Sequence, residues 1–389
     1  MLATLRHVIQ VTLIRLLPIR LIHRGPLGPL GPLGPLCLVM PVVMTSCESP
    51  NPAGLNPAGG STDLGDPLPD VGTLSRLRVR DNQIVDAQGN VRILRGVTVI
   101  DPLLWRDYRF GTRRLSESHF QKLADDWHAG IIRVPIHPDL FSADPEYLSK
   151  YIDPIVEWGS DCGIYVFLGY HAHGNPLTRQ VENTPWGFDE PWRGNPYNPD
   201  RALALTALTA MVERYGDNDG VIYGSFNEPA FISWRDWRPV AEELVDAIHD
   251  VDPRALVTVS GINFASDLSG VDADPVERPN VVYEIHPYPW VGDGWKTVVD
   301  GLLQSYPVFI GEWGFGDEHP ATVQGYAQPL VDYCQQRGLG WTAWVWDHEW
   351  TPRMFVNRSQ TELTEFGFIV KNALSETSTQ SAFAAKGLP

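Results

Sequence analysis

Short runs rich in valine and isoleucine recur eight times along this chain, at 92–99, 131–135, 164–169, 221–226, 256–260, 281–286, 308–311 and 341–346. Each has strand length, and near-continuous hydrophobicity suits a strand covered on both faces. Between most of them lie helical patterns, at about 116–129, 147–162, 200–215, 237–250, 295–305 and 321–336, and another near 361–374 follows the eighth run. The stretch 261–278 has room for only a turn or two of helix. Ahead of the first run, "LRVRDNQIVDAQGNVRILRG" alternates apolar and polar residues around a turn at Gly89–Asn90, a hairpin signal. Strands alternating with helices in this number predict an α/β fold, a (β/α)8 TIM barrel with an N-terminal β-hairpin. A doubly wound sheet would normally open with a glycine-rich phosphate loop after its first strand, and none is present.

In such a barrel the reactive groups stand at the carboxyl ends of the strands. Those ends are polar and aromatic here. The second run ends in Arg133, the third in His171 and His173, and the fourth in Asn227 and Glu228 followed by Pro229. The sixth reaches His286 and Tyr288, the seventh Glu312, and the eighth Trp344, Trp346 and Asp347.

The fourth and seventh strands lie nearly opposite across an eight-strand mouth, so Glu228 and Glu312 can converge on one bond. Two carboxyls so placed suit glycosidic hydrolysis, one donating a proton to the leaving oxygen while the other attacks or stabilises the oxocarbenium-like centre. Arg133 and Tyr288 are placed to hold Glu312 ionised. Glu228, partly buried beside that charge, is expected to be raised toward neutrality.

The segment from about 77 to 375 resembles glycoside hydrolase family 5, the cellulase family of the retaining clan of (β/α)8-barrel glycosidases. The resemblance is carried by "IVDAQGNVRILRGV", "IIRVP", "YHAHG", "FNEPA", "IHPYPW" and "IGEWGF", in the family's order. It implies that Glu228 is the acid/base and Glu312 the nucleophile. It also implies that Arg133, His171, Asn227, His286 and Tyr288 line the reacting subsite, with Trp344 or Trp346 beneath the sugar, Trp344 being favoured. The expected activity is cleavage of β-1,4-glucan without a cofactor or metal, with mannan or a smaller β-glucoside as the alternatives and endo versus exo action left open. One departure is Gly169, where many cellulases of this family carry an acid.

Trp105, Trp186, Trp192, Trp234, Trp237, Trp290, Trp295, Trp313 and Trp350 follow the strands and are candidates for stacking on pyranose rings. Two readings of another kind compete with a glycosidase. "HAH" at 171–173 could ligate zinc in a metal-dependent barrel hydrolase. A glycan-binding lipoprotein without turnover could keep the same cleft.

Residues 1–46 hold Arg6, Arg15, Arg20 and Arg24, a "GPL" repeat and an apolar run ending at Ser46–Cys47. This reads as an export signal, with Cys47 as a lipid-accepting cysteine that could attach the protein to a membrane, or as upstream sequence from a misjudged start. Residues 47–75 read as a flexible linker, 76–376 as the barrel and 377–389 as a tail. A net charge of −17 argues against nucleic acid as partner. A β-glycan is the expected partner, the protein itself a monomer, exported to the cell envelope or beyond. Cys162 and Cys334 are expected unpaired rather than bridged.

Overall fold

In the computed structural model, the residues described are 74–106, 115–181, 196–316 and 321–385. The export segment with Cys47, most of the linker, Trp186 and Trp192 lie outside them, and the side chain of Trp105 is likewise not described.

The chain enters through an antiparallel hairpin, β1 Arg78–Arg80 with β2 Gln83–Val85. Next come β3 Arg95–Thr98, β4 Ile131–Ile136 and β5 Tyr165–Tyr170, with the two-residue β6 at His173–Gly174. Then follow β7 Val221–Gly224, the two-residue β8 at Glu228–Pro229, β9 Val257–Ser260, β10 Val281–Ile285, β11 Val308–Ile310 and β12 Gly340–Ala343. Strands β3, β4, β5, β7, β9, β10, β11 and β12 pair in that order and close into a parallel barrel, so all eight apolar runs become barrel strands. Past the barrel rim, β6 and β8 continue side by side, with His173 opposite Glu228.

Strand alternation sorts the lumen into layers, because residues two apart share a face. Leu94, Ile131, Phe167, Ile222, Leu256, Val282 and Phe309 form an apolar floor, with the Phe167 and Phe309 rings 6.0 Å apart. One step further along the same strands come Arg133, Thr258 and Glu284, all buried. The Arg133 guanidinium lies 5.3 Å from the Phe167 ring, so an ionic layer rests directly on the floor. Outside the strands a second, larger apolar cluster joins them to the helices.

Several elements differ from the sequence reading. The hairpin turns at Asp81–Asn82, with Asp81 at φ 56°, and not at Gly89–Asn90. Gly89 makes a second reversal instead, at φ 85°, where Asp86 accepts hydrogen bonds from the Asn90 backbone, the Asn90 amide and Arg92. Asp and Asn tolerate the left-handed region, so the weaker signal marked the sharper turn. Short helices at Pro102–Arg106 and Pro138–Ala143 were not anticipated, and the last helix, Glu365–Ala385, runs past 374. Between β9 and β10 the chain makes a single turn, Ile262–Ala265, in which Asn263, Phe264 and Ala265 all have positive φ.

Cys162 and Cys334 are free. Among the described residues no helix is long and apolar enough to cross a membrane.

Candidate active site

The layer above the floor opens at the carboxyl ends of the strands, and there the two glutamates meet. One oxygen of Glu228, one of Glu312 and a ring nitrogen of His286 all lie within 4.8 Å of one another. Glu312 follows β11 and is buried; Glu228, on β8, keeps slight exposure.

Glu312 accepts at both oxygens. Arg133 Nη1 donates to Oε1 at 2.7 Å, and the Tyr288 hydroxyl donates to Oε2 at 2.9 Å. Arg133 also donates from Nη2 to the Asn227 side-chain Oδ1, which ties the residue before Glu228 to the partner of Glu312. Burial opposes the charge on Arg133, but Glu312 and Glu284 more than offset it and hold the guanidinium above its ordinary value.

Glu228 has other surroundings. His286 Nδ1 lies 2.9 Å from its Oε1, and His173 Nδ1 lies 3.6 Å from its Oε2. Burial pushes the Glu228 carboxyl up; the His286 hydrogen bond opposes this, and the charge of Glu312 adds to the rise. His286 Nε2 in turn faces Glu284 Oε1 at 3.1 Å. Burial pulls the imidazole down, yet the charge of Glu312 and the hydrogen bonds to Glu228 and Glu284 push it up to about 9. A carboxylate at each nitrogen favours a doubly protonated His286 that donates to both.

The other two histidines at the third strand end are neutral. Burial, then neighbouring cationic groups, pushes His171 and His173 well below the usual imidazole value. The Asn227 amide donates to His173 Nε2 at 3.0 Å, which assigns the His173 proton to Nδ1, facing Glu228. His173 stacks on Tyr197 at 4.1 Å, and His171 stacks on Trp344 at 5.5 Å with rings 5° apart.

Arg133, His171, Asn227, Glu228, His286, Tyr288, Glu312 and Trp344 therefore gather around one cavity mouth. Trp346 does not. It is 0% exposed, with edge-on contacts to Trp127 and Phe355 in the outer core, because it lies two residues beyond Trp344 after the barrel strand has ended. Four of the six described tryptophans expected to line a cleft are also core residues. Trp234, Trp237, Trp295 and Trp313 are buried, whereas Trp290 is 62% exposed and stacks on Tyr288 at 4.7 Å. Asp347 is buried and anchors a turn by accepting from the Glu349 and Trp350 backbones.

Three contributors escaped the sequence reading. Glu284 is one; its place two residues before His286 on the same strand was the available signal. Asp101 and His137 are the others, His137 Nδ1 lying 3.1 Å from Asp101 Oδ2 and its ring 4.7 Å from His171. After β8 and β9, the rings of Phe231 and Phe264 meet edge to face at 5.6 Å, both on left-handed backbone. Bulky residues adopt that backbone only under constraint.

The His171–His173 pair has no third ligand converging on it for zinc among the described residues. Among the described residues the group that converges closely enough to hold a metal is Glu228, His286 and Glu312, not the His171–His173 pair. Within that group the two His286 nitrogens face Glu228 and Glu284.

Residues 85–349 match the sequence profile of the cellulase family, glycosyl hydrolase family 5. Endoglucanase E-5 of Thermobifida fusca is 27% identical over 311 residues, covering 74% of this chain and 61% of that protein. Endoglucanase N of Pectobacterium atrosepticum is 25% identical over 282 residues, covering 70% and 58%. The chain thus spans less than two thirds of the length of either relative. A crystal structure of a β-glucanase from Saccharophagus degradans in complex with cellotetraose superposes with a TM-score of 0.68 at 27% identity, covering 81% of this chain and 98% of that one. The catalytic domain of a Thermobifida fusca endoglucanase shares the fold, with a TM-score of 0.63 at 22% identity over 77% of this chain and 97% of that one.

Proposed function

The chain belongs to the cellulase family, glycosyl hydrolase family 5, and on that footing we propose that it is a retaining β-glycoside hydrolase acting on β-1,4-glucan. The observation that carries this reading is the approach of Glu228 and Glu312 to within 4.8 Å, with Arg133 and Tyr288 on Glu312 and a raised carboxyl at Glu228. Retaining enzymes hold their carboxyls roughly 5–5.5 Å apart, whereas inverting enzymes need a wider gap for water.

Glu312 is the nucleophile. Arg133 and Tyr288 fix both its oxygens, so its attack on the anomeric carbon starts from one defined orientation. Glu228, raised by burial, is the proton donor to the leaving oxygen, and it later takes the proton of the water that releases the glycosyl-enzyme. Trp344, stacked with His171, offers an apolar indole face for the sugar. A β-glucan substrate is supported by the cellotetraose bound to the Saccharophagus degradans relative. Export through residues 1–46, with attachment at Cys47, fits an enzyme whose polymeric substrate lies outside the cell.

A hydrolysis panel of carboxymethylcellulose, glucomannan, xyloglucan and laminarin with product sizing tests the proposal. Carboxymethylcellulose falling quickly in chain length is the expected result. Preference for glucomannan would move the substrate to mannan, and binding without any hydrolysis would overturn the enzyme reading.

A further inference from the structure

Beneath the two glutamates lies a third carboxylate that neither proton transfer nor attack uses. Glu284 sits on β10 two residues before His286, so strand alternation turns both side chains inward. Its Oε1 accepts from His286 Nε2 at 3.1 Å and stands 3.4 Å from Arg133 Nη2; its Oε2 accepts from the Thr258 hydroxyl. Gly311 makes room for it, since a Cβ there would fall 1.8 Å from Glu284 Oε1. On another side of the guanidinium the wall is Gly169, whose Cβ would stand 3.6 Å from Arg133 Nη2 and 3.7 Å from its Nε. That Nε is buried and has no hydrogen-bond partner. Strand β5 therefore gives this arginine no anion, and β10 does.

A count of charges shows what the third carboxylate is for. When Glu228 is protonated and ready to donate, the buried cations are Arg133 and His286, and without Glu284 they would face one anion, Glu312. A buried charge without its partner is costly, and the group that can shed it is the imidazole. A neutral His286 has one lone pair; turned toward Glu228, it would accept the Glu228 proton in a hydrogen bond and draw it away from the leaving oxygen.

We propose that Glu284 is a positioning residue of this site, a single buried carboxylate that steadies Arg133 against Glu312 and keeps His286 donating to Glu228. The inference rests on the glycosidase reading for its catalytic consequence, but the hydrogen-bond direction can be measured without it.

The test uses the whole protein with nitrogen-15-labelled histidine and the Glu284→Gln variant, which keeps the shape and removes the charge. In the unmodified protein His286 should carry protons on both ring nitrogens at pH 7 and titrate at about 9. In Glu284→Gln it should be neutral at pH 7. On a natural glycan kcat/KM should fall about 10- to 100-fold, the size typical of removing a partner that orients a functional ligand, mostly through kcat, and less on an aryl glycoside with a good leaving group. Adding Gly169→Asp to Glu284→Gln returns an anion to Arg133 alone; rates should recover in part while His286 stays neutral. The proposal is overturned if Glu284→Gln keeps both its His286 titration and its rate per folded molecule, as a purely structural role would give. Should that variant not fold, a neutral His286 at pH 7 in the unmodified protein overturns it equally, and a doubly protonated one supports it. A protein inert on every β-glycan whose His286 still follows Glu284 would sink the glycosidase reading and leave this one standing.

Discussion

Glu228 and Glu312 come from the ends of the fourth and seventh barrel strands, three positions apart around the barrel, and bring oxygens within 4.8 Å of each other. Arg133 joins their surroundings, gripping Glu312 with one amino group and the Asn227 side chain with the other. Two like groups held this close cannot both ionise freely, and burial together with the charge of Glu312 raises the Glu228 carboxyl.

Unequal roles predict unequal losses. Glu312→Ala should lower kcat by about 10⁴-fold or more, as expected when a member of a catalytic unit is lost, and azide or formate should restore part of the rate by entering the vacated space. Glu228→Ala should lose about 10²–10⁴-fold on natural glycans, the contribution of general acid catalysis, but far less on aryl glycosides whose leaving group needs no proton. Near-normal rates on natural glycans in both variants would refute the assignment.

The pH dependence has a defined sign. The enzyme needs Glu228 protonated, so kcat/KM should fall as pH rises through the Glu228 value, which burial and the charge of Glu312 set above the ordinary glutamate range. In Glu312→Gln the neighbouring charge is gone, and Glu228 should titrate lower than in the unmodified protein. Carbon-13 NMR of labelled glutamate carboxyls reads this directly, and a rise or no change would contradict the coupling.

Much of this was legible in the sequence because it depends on local chemistry. Eight apolar runs gave eight barrel strands, since a buried strand needs nothing but its own hydrophobicity to be recognised. Glu228, Glu312, Arg133 and Tyr288 were placed because strand ends of a barrel face one mouth. Tertiary packing hid the rest. Trp344 and Trp346 are indistinguishable in "AWVWD", and only the course of the chain after β12 sends one ring to the cleft and the other into the core. Glu284 reads as an ordinary strand residue until Gly311 is seen to vacate the volume it fills. The missing acid at Gly169 was visible, but not that β10 supplies the charge.

That volume can be tested by filling it. Gly311→Ala sets a methyl where Glu284 Oε1 now lies, so the carboxylate must move away from Arg133 and His286. Overpacking of this kind should cost about 1–3 kcal/mol of stability, read as a lower midpoint in denaturant, together with a loss of kcat. A variant as stable and active as the unmodified protein would show that the lumen yields more readily than its packing implies.

The two tryptophans should separate stability from binding. Trp346→Ala empties a core site and should destabilise by about 3–5 kcal/mol, with little change in KM for the molecules that remain folded. Trp344→Ala should chiefly weaken affinity for cello-oligosaccharides, measured by calorimetry on a Glu312→Ala background. The reverse pattern would exchange their positions.

The central claim is that these carboxyls attack and protonate one linkage without a water between them. Proton NMR of the first product released from a β-linked cello-oligosaccharide tests it most directly. The β-anomer should appear first and only later mutarotate; initial release of the α-anomer would mean inversion and contradict the account.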